Sequence, residues 1–299
     1  MMSQNPQIGG FDQLAVERAV HWLSRTGVRA PLTIERIKRW VKQFQSPAEK
    51  TLAWLILRNL IFRTNEQFMS SMRQALKQAT IFFVEQQGSQ GAVAWGDALM
   101  GSSGLSISCG PPSLATLGFV PPGKSGEVVA RLVNQRYRID KHFPSEITVL
   151  RPEERFIVVD DGTYTGVQLC TFLRNWDIDF SQQRVVIAVS MAHKTACKKL
   201  KDEFPTVPMF CGELLAPEMC FAALCEKWVE TGQWNYDTSP SDVYAEVHKR
   251  NLPFEKGNGS AGYGDIGALV AFEHGVPDDS IQLLWDTSPT WQPLIDRGT

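Results

Sequence analysis

Segments with the pattern of buried strands alternate with segments with the pattern of amphipathic helices through the second half of this chain. The predicted strands are 146–150, 156–159, 184–189 and 207–210, and the predicted helices are 167–176, 192–204 and 217–229. Because parallel neighbours need a long crossover connection, this alternation predicts an α/β fold with helices on the faces of a parallel sheet. A loop over 235–262 and two last strands, 266–272 and 281–285, complete the prediction.

The amino-terminal part has helical periodicity. Apolar residues recur at helical spacing from residue 14 onward, and Thr33 and Ser46 stand where N-caps are expected. Pro47 fits the first turn of the helix that Ser46 begins. Asn65 starts a fourth predicted helix, which ends near residue 87.

The length and composition allow one large domain or two small ones. The chain has 299 residues, of which 43% are hydrophobic, so it can bury a substantial core. Gly, Ser and Pro are frequent over residues 88–126, which indicates a boundary rich in loops. We therefore predict a helical section over 1–87 and an α/β domain over 88–299.

The composition argues against membrane, secreted and zinc-binding classes. The longest apolar run, 51–57, is far shorter than the roughly 20 residues that span a bilayer, so we expect no membrane partner. The first residues contain no basic segment followed by an apolar one, so we expect no secretory signal. The six cysteines form no CxxC pair and have no zinc-site spacing, so we expect reduced thiols in a cytoplasmic protein.

Charge is distributed unevenly, although the formal net charge is only −2. Basic residues outnumber acidic ones over residues 1–85, and acidic residues outnumber basic ones in the rest of the chain. The basic part fits a nucleic acid or an acidic partner, and its short helices leave a helix-turn-helix open. The ordinary alternative is that Arg and Lys coat the solvent-facing sides of helices.

The most informative stretch is a predicted strand that ends in two acidic residues. After the apolar run 156–159 come Asp160 and Asp161, then a short loop of Gly and hydroxyl residues, then a helix. The free N–H groups of a helix start attract phosphate, Thr163 and Thr165 add hydroxyl donors, and Gly166 allows close approach. Carboxylates beside a phosphate suit sugar hydroxyls or bound Mg²⁺. The pattern therefore predicts a site for a phosphorylated sugar.

Two other interpretations of these segments compete. The dipeptide Asp161-Gly162 is a type I′ turn signal, so the strand and loop alternatively form a β-hairpin. Residues 118–125 match the P-loop pattern GxxxxGKS, which indicates an NTPase. Pro121 and Pro122 argue against the P-loop, because they lack the N–H groups that would hold the phosphate.

Further candidate ligands lie at two other predicted helix starts. These are Lys124, Ser125 and Gly126, which suit a diphosphate group with Arg131 as a helper, and the pair His193 and Lys194. The pair follows the strand at 184–189, and ligands gather at the carboxyl ends of strands in open parallel sheets. The ordinary alternatives are solvated basic side chains and a structural histidine.

The motifs carry two family resemblances. The run 156–166, an apolar strand, two acids, three residues and Thr-Gly, resembles the phosphoribosyl-diphosphate signature of type I phosphoribosyltransferases. The segment 262–297, with a His-x-x-Pro turn at His274, a predicted strand ending in Trp285 and a late Trp291-Gln-Pro-Leu, is similar to the phosphoribosyltransferase-like effector family of prokaryotic conflict systems. The helical stretch 35–87 resembles the same family. Two departures are Gln168, where the phosphoribosyltransferases usually have Thr or Ser, and Gly275, where Asn is frequent in the effector family.

The resemblance implies a type I phosphoribosyltransferase-like α/β fold that binds a 5-phosphoribosyl compound with Mg²⁺. On this interpretation Asp160 and Asp161 are the catalytic pair, holding the ribose hydroxyls and the metal. The 5′-phosphate is wrapped by Gly162, Thr163, Tyr164, Thr165, Gly166 and Val167. The substrate walls that the resemblance implies are His274, Trp285, Trp291 and Arg297, and His193 and Lys194 are added to them by their position after a strand.

The resemblance also implies a biological role and partners. Members of the effector family accompany antiphage cassettes such as retrons, so we expect a toxic effector held silent by a partner such as a reverse transcriptase with its nucleic acid. A homodimer is left open. A catalytic member acts at the anomeric carbon in nucleotide metabolism. The alternatives that stay open are a ligand sensor without turnover and a P-loop NTPase.

Overall fold

A computed structural model of the protein describes residues 11–86, 117–137, 140–150, 154–252 and 259–296. The α-helices are α1 (Gln13–Arg25), α2 (Ile34–Lys42), α3 (Pro47–Asn59), α4 (Asn65–Gln86), α5 (Lys124–Tyr137), α6 (Val167–Asn175), α7 (Lys194–Glu203), α8 (Phe221–Glu230) and α9 (Pro240–Asn251). The strands are β1 (Ile61–Arg63), β2 (Leu117–Val120), β3 (Asp140–Lys141), β4 (Arg155–Thr163), β5 (Val185–His193), β6 (Met209–Leu215) and β7 (Val270–Phe272). No helix within the described ranges is both long and apolar enough to cross a membrane.

The chain folds into two compact units. The first unit combines Met1–Asn65 with Ala216–Thr299, and the second unit is Glu66–Leu215. The division predicted from the sequence, 1–87 and 88–299, has its boundary outside the described residues and stays a prediction.

The second unit contains a five-stranded sheet in which every pair of neighbours is parallel. The strand order is β3-β2-β4-β5-β6. Every residue of β5 is buried, and β4 is buried from Phe156 to Asp160, as expected of strands covered on both faces. The predicted α/β class is confirmed.

The first unit is mostly helical, and its predicted caps are confirmed. The Thr33 hydroxyl accepts a hydrogen bond from the Arg36 amide, and the Ser46 hydroxyl accepts one from the Glu49 amide. β1 and β7 form a short parallel pair in this unit. Trp40 and Trp291 are fully buried, and both donate their indole N–H to the Leu283 carbonyl, at 3.0 and 3.2 Å.

The buried side chain of Arg29 caps the carboxyl end of helix α3. This role was not predicted from the sequence. Its Nη1 and Nη2 donate to the carbonyls of Leu57 and Leu60, each at 2.7 Å. Burial lowers the pKa of this guanidinium to about 10, so it stays charged at neutral pH. It therefore satisfies carbonyls that a helix end otherwise leaves without partners.

Three predicted elements were wrong. Residues 146–150 and 281–285 form no strand; instead 3₁₀ turns lie at Pro144–Glu146 and Gln282–Leu284. A short apolar run buried on all sides has the same pattern in either conformation, which explains the second error. The predicted loop over 235–262 contains α9, whose start at Ser239-Pro240 repeats the signal that predicted α3.

The described cysteines are free thiols, namely Cys170, Cys197, Cys211, Cys220 and Cys225. Burial raises the pKa of Cys220 to about 11 and that of Cys225 to about 12. Since the thiolate is the reactive form, these two side chains are chemically inert core residues. Cys109 lies outside the described residues.

Helix α4 approaches the edge strand β6 closely at Gly212. A Cβ atom at this position would stand 2.1 Å from the Ser71 carbonyl oxygen. Ser71 also donates its hydroxyl to the Glu213 carboxylate at 2.5 Å, and the rings of Phe82 and Phe210 lie 5.8 Å apart. Glycine at this position lets α4 cover β6, an edge strand that would otherwise be open to pairing.

We expect Gly212→Ala to destabilise the protein by about 1–3 kcal/mol, because the helix backbone must move away from the strand. Gly275→Ala is the matched control, since a Cβ there meets nothing within 4 Å. Urea unfolding measures both variants. Equal free energies of unfolding for the two variants would contradict the close approach of α4.

Candidate functional site

The sheet order places a topological switch point between β2 and β4. The chain passes from β2 to β3 on one side, then returns to β4 on the other side and continues outward through β5 and β6. Val120, the last residue of β2, lies beside Val158 of β4. In open parallel sheets ligands bind in the crevice outside the carboxyl ends of the strands at such a point. We call this place the switch crevice.

Strand β4 carries both acidic residues into the edge of the sheet. It runs through Asp160 and Asp161 to Thr163, and Asp160 pairs in register with Val189 of β5. The sequence interpretation ended the strand before these acids. The hairpin alternative is wrong, because both neighbours of β4 are parallel to it and a helix follows.

The turn from β4 into α6 depends on Gly166. This residue is the N-cap of α6 and has a φ of 74°, a conformation that glycine adopts without strain. A Cβ there would also lie 3.1 Å from the Ala196 Cα in helix α7. The Thr165 hydroxyl accepts from the Val167 amide at 3.4 Å. The tight turn thus directs the first amides of α6 toward the switch crevice.

The two acids have different environments. Asp160 is only 2% exposed, and its Oδ1 accepts hydrogen bonds from the Ser125 hydroxyl at 2.7 Å and from the Asp161 amide at 2.9 Å. Burial first, and then the charge of Asp161, raises the pKa of Asp160 well above its ordinary value, although the Ser125 hydrogen bond opposes the shift. Asp161 is partly exposed, and its Oδ1 accepts from the Gly162 amide at 2.8 Å. Of the pair, Asp161 is the one accessible from solvent.

Two of the predicted phosphate-binding side chains are turned into the protein. Thr163 and Tyr164 are buried, and the Tyr164 hydroxyl donates to the Met191 sulfur at 3.8 Å. The Tyr164 ring would meet a Cβ at Gly162 at 2.9 Å, so it supports the turn from within. Their side chains therefore stabilise this segment, and the backbone amides that follow are its contribution to the crevice.

A second helix start lies beside the first. Only three residues separate the end of β2 at Val120 from the start of α5 at Lys124. Gly118, the first residue of the P-loop pattern, lies within β2 and not in the loop. So short a loop does not wrap a phosphate as a P-loop does. An added Cβ at Gly123 would lie 3.1 Å from the Gln168 amide nitrogen, and one at Gly126 would lie 2.8 Å from the Val159 carbonyl oxygen. The starts of α5 and α6 thus face the same crevice.

The remaining predicted ligands of this unit lie at different distances from the crevice. Lys124 is the first residue of α5, and its side chain lies outside the described part. Arg131 is exposed, about 10 Å farther along the helix axis. His193 is buried and caps α7, its Nδ1 accepting from the Thr195 amide at 3.2 Å, whereas Lys194 is exposed at the helix start. The capping role of His193 matches the ordinary alternative.

The predicted walls from the carboxyl-terminal part belong to the first unit. The His274 ring stacks on Phe272, with ring centroids 5.2 Å apart. Trp285 and Trp291 are buried, and the Trp285 indole donates to the Ser280 carbonyl at 3.0 Å. Arg297 lies outside the described residues. A role for these residues at the phosphoribosyl site stays a prediction.

Comparison with known protein families identifies the chain. The family model PRTase-CE matches residues 37–297, which is most of the chain. The chain belongs to the PRTase-CE family. This match supports a phosphoribosyltransferase-like function and confirms the predicted resemblance and fold class. Among the curated proteins, none matches the chain.

The crevice residues of this PRTase-CE protein suit Mg²⁺ only in part. The described residues contain no group of three or more His, Cys, Asp or Glu side chains that would hold a metal ion. Mg²⁺ is commonly held by one or two carboxylates together with substrate phosphates. Asp161 beside two helix starts fits that arrangement, with the phosphates supplied by the ligand.

Sequence reasoning missed two contacts of this site. It assigned Ser125 to a diphosphate, but the Ser125 hydroxyl donates to Asp160. It treated Gln168 only as the absence of a Thr or Ser hydroxyl, but the side-chain amide of Gln168 lies against the loop before α5. No local signal shows either contact, because each joins residues that lie at least 35 positions apart on different elements.

We expect Asp160→Asn to raise the melting temperature at neutral pH. The pKa of Asp160 is raised in the folded state, so its stabilising contribution is complete below about pH 4 and is lost as pH rises through the folded pKa. An amide keeps the hydrogen bonds and does not ionise.

Calorimetric melting of wild type and Asp160→Asn from pH 4 to pH 8 measures this effect. The difference between the two melting temperatures should grow with pH. Asp202→Asn, at an exposed position on α7, shows what loss of a surface carboxylate alone does. A difference that stays constant with pH would show that ionisation of Asp160 does not lower the stability of the folded protein.

Proposed function

We propose that the switch crevice of the second unit binds a 5-phosphoribosyl compound, with the ribose at Asp161 and the phosphate groups at the two helix starts. The observation that carries the proposal is the convergence of α5 and α6 on the end of β4, where Asp161 is the partly exposed acid. Family membership supports the same class of ligand.

Each end of the ligand has suitable partners. The amides in the first turn of α6 after Val167 and the Thr165 hydroxyl suit the 5′-phosphate, because helix starts carry partial positive charge. The start of α5 suits the diphosphate in the same way. The Asp161 carboxylate accepts hydrogen bonds from ribose hydroxyls. It lies near the end of β4, which stands between α5 and α6 along the chain.

The reaction proposed at this site is substitution at the anomeric carbon. The bond from that carbon to the diphosphate oxygen breaks, and its electron pair leaves with the diphosphate. Water or a nitrogen base then supplies the new bond and releases its proton to solvent. Asp161 opposes the positive charge that develops on the ribose, and the helix starts hold the leaving group in place. Mg²⁺, when bound, would neutralise diphosphate charge.

Binding without turnover is a second candidate function, and one observation favours it. Asp160 is buried, and its Oδ1 is already hydrogen-bonded to Ser125 and to the Asp161 amide, so it does not serve as an accessible base. Release of diphosphate from a bound phosphoribosyl diphosphate separates a transferase or hydrolase from a ligand sensor.

We expect 5-phosphoribosyl diphosphate with Mg²⁺ to bind the wild type in titration calorimetry, and Asp161→Asn to weaken the affinity at least 10-fold. The neutral amide cannot oppose the charge of the metal and accepts weaker hydrogen bonds. A second variant, Gly166→Val, should weaken binding through strain at the phosphate turn.

Asp202→Asn is the matched control for charge, because it removes one exposed carboxylate from the same unit, eight residues beyond the start of α7. Its affinity should stay within about twofold of wild type. Absence of wild-type binding, or equal affinities of Asp161→Asn and Asp202→Asn, would reject the site.

The finer biological role rests on the resemblance described from the sequence. We propose on that basis an effector of antiphage defence, whose partner is a reverse transcriptase with its nucleic acid. Growth arrest on expression of the wild type, relieved by Asp161→Asn, would support a toxic role of the crevice.

A further inference from the structure

Two adjoining cavities in the first unit lie between helix α2 and the segment 287–296. Their volumes are about 410 and 270 Å³. Arg39, Gln43 and Gln292 line both cavities, so the two form one continuous depression. We call it the cationic groove. Its lining residues all belong to the first unit, whereas the residues of the switch crevice belong to the second.

One wall of the groove carries a row of positive charges. Arg36, Arg39 and Lys42 follow one another at intervals of three residues and so lie along one side of α2. Arg36 forms an ion pair with Asp296 at 2.6 Å. Arg39 and Lys42 are exposed, and neither has an ion pair with any residue that the structure describes. The groove therefore presents uncompensated positive charge.

Helix electrostatics accounts for only part of this arrangement. Basic residues in the last turn of a helix interact favourably with the negative end of its dipole, and Arg39 and Lys42 lie in the last turn of α2. That effect does not require a concave surface in front of them. Here both side chains line a cavity whose opposite wall supplies polar groups from Thr290 and Gln292.

The walls of the groove are held together before any ligand binds. The Gln43 side chain donates to the Gln292 carbonyl at 2.9 Å and accepts from the Gln292 amide at 2.7 Å. Trp40 and Trp291 lie below, fully buried and joined through the Leu283 carbonyl. Because the backbone is fixed in this way, a ligand would order only the ends of exposed side chains.

The chemistry of the lining selects the class of ligand. Arg and Lys with amide and hydroxyl donors suit phosphate groups. Asp296, the one carboxylate among the described residues that line either cavity, is paired with Arg36. The volume exceeds what a lone phosphate needs and falls in the range of sites for organic ligands. The two indoles are fully buried, so recognition rests on charge rather than on stacking of bases.

We propose that the cationic groove binds the phosphate groups of a nucleotide, either free or within a single nucleic-acid strand. Arg39 and Lys42 supply the charge, and the Gln292 side chain supplies a neutral donor. This proposal does not depend on the function proposed above, because the groove and the phosphoribosyl crevice share no residues.

The test compares two double variants that remove the same charge from exposed positions. Arg39→Gln/Lys42→Gln empties the groove of its unpaired charges, and Lys38→Gln/Lys50→Gln removes two lysines that line neither cavity. The probes are a fluorescein-labelled 12-nucleotide oligothymidylate, followed by anisotropy, and ADP, followed by calorimetry. Melting temperatures check that both variants are folded.

The groove variant should weaken binding of a probe at least 10-fold, and the control variant less than 3-fold. For the oligonucleotide, the slope of log affinity against log salt should fall by about 1.4 in the groove variant, because each phosphate of a single strand that a basic side chain neutralises adds about 0.7 to that slope. Loss of oligonucleotide binding alone identifies a strand as the source of the phosphates, and loss of ADP binding alone identifies a free nucleotide.

Three results would overturn the proposal. The wild type binds neither probe, the two double variants lose affinity equally, or the groove variant keeps its affinity for both probes while Asp161→Asn loses ADP binding. The last result would assign the nucleotide to the switch crevice and leave the phosphoribosyl site standing.

Discussion

The parallel pairing of β4 with a neighbour on each side is the constraint on which the site depends. Val158 is aligned with Val120 of β2, and Asp160 with Val189 of β5, so the carboxyl ends of three strands meet at one edge. A helix follows each of these strands within a few residues. The amides at three helix starts therefore face one edge of the sheet, and positive potential gathers where the strand order reverses.

Asp160 shows what this arrangement costs locally. A carboxyl group that is 2% exposed beside another acid is unfavourable when ionised, and the Ser125 hydroxyl offsets only part of that cost. Proteins retain such conflicts mainly at functional sites. The hydrogen bond from Ser125 also ties the end of β4 to the start of α5. Asp160 therefore connects these two elements, whereas Asp161 is the partly exposed member of the pair.

The first unit reaches its order through contacts between distant parts of the chain. Arg29 satisfies the end of α3, Trp40 and Trp291 share one carbonyl, and Arg250 forms two hydrogen bonds with Glu49. The carbonyl that Trp40 and Trp291 share, together with the Gln43–Gln292 hydrogen bonds, fixes α2 against the carboxyl-terminal segment. The positive charges of α2 then become the wall of a groove instead of an isolated exposed row.

Local patterns predicted three of the five strands of the sheet, β4, β5 and β6, and the motif at its centre, but neither β2 nor β3. Helical periodicity predicted α2 and α6, the Ser46-Pro47 start predicted α3, and an apolar run predicted β5. The caps at Thr33 and Ser46 were recognisable, and the two acids with the turn that follows them were assigned to one site. These features depend on neighbours within a few residues, so any sequence window contains them. The wrong strand at 281–285 is a short apolar run that is buried on every side, where periodicity does not distinguish a strand from another buried conformation.

Only the tertiary structure decided which residues meet. The sequence placed Ser125 and Asp160 in one site but not in one hydrogen bond, and it treated the two acids as equivalent although one is buried. It detected the excess of basic residues over 1–85 but not the groove, because the wall opposite α2 comes from residues some 250 positions later. Burial and long-range pairing are properties of the packed chain, and they determine which side chains are left free to bind a ligand.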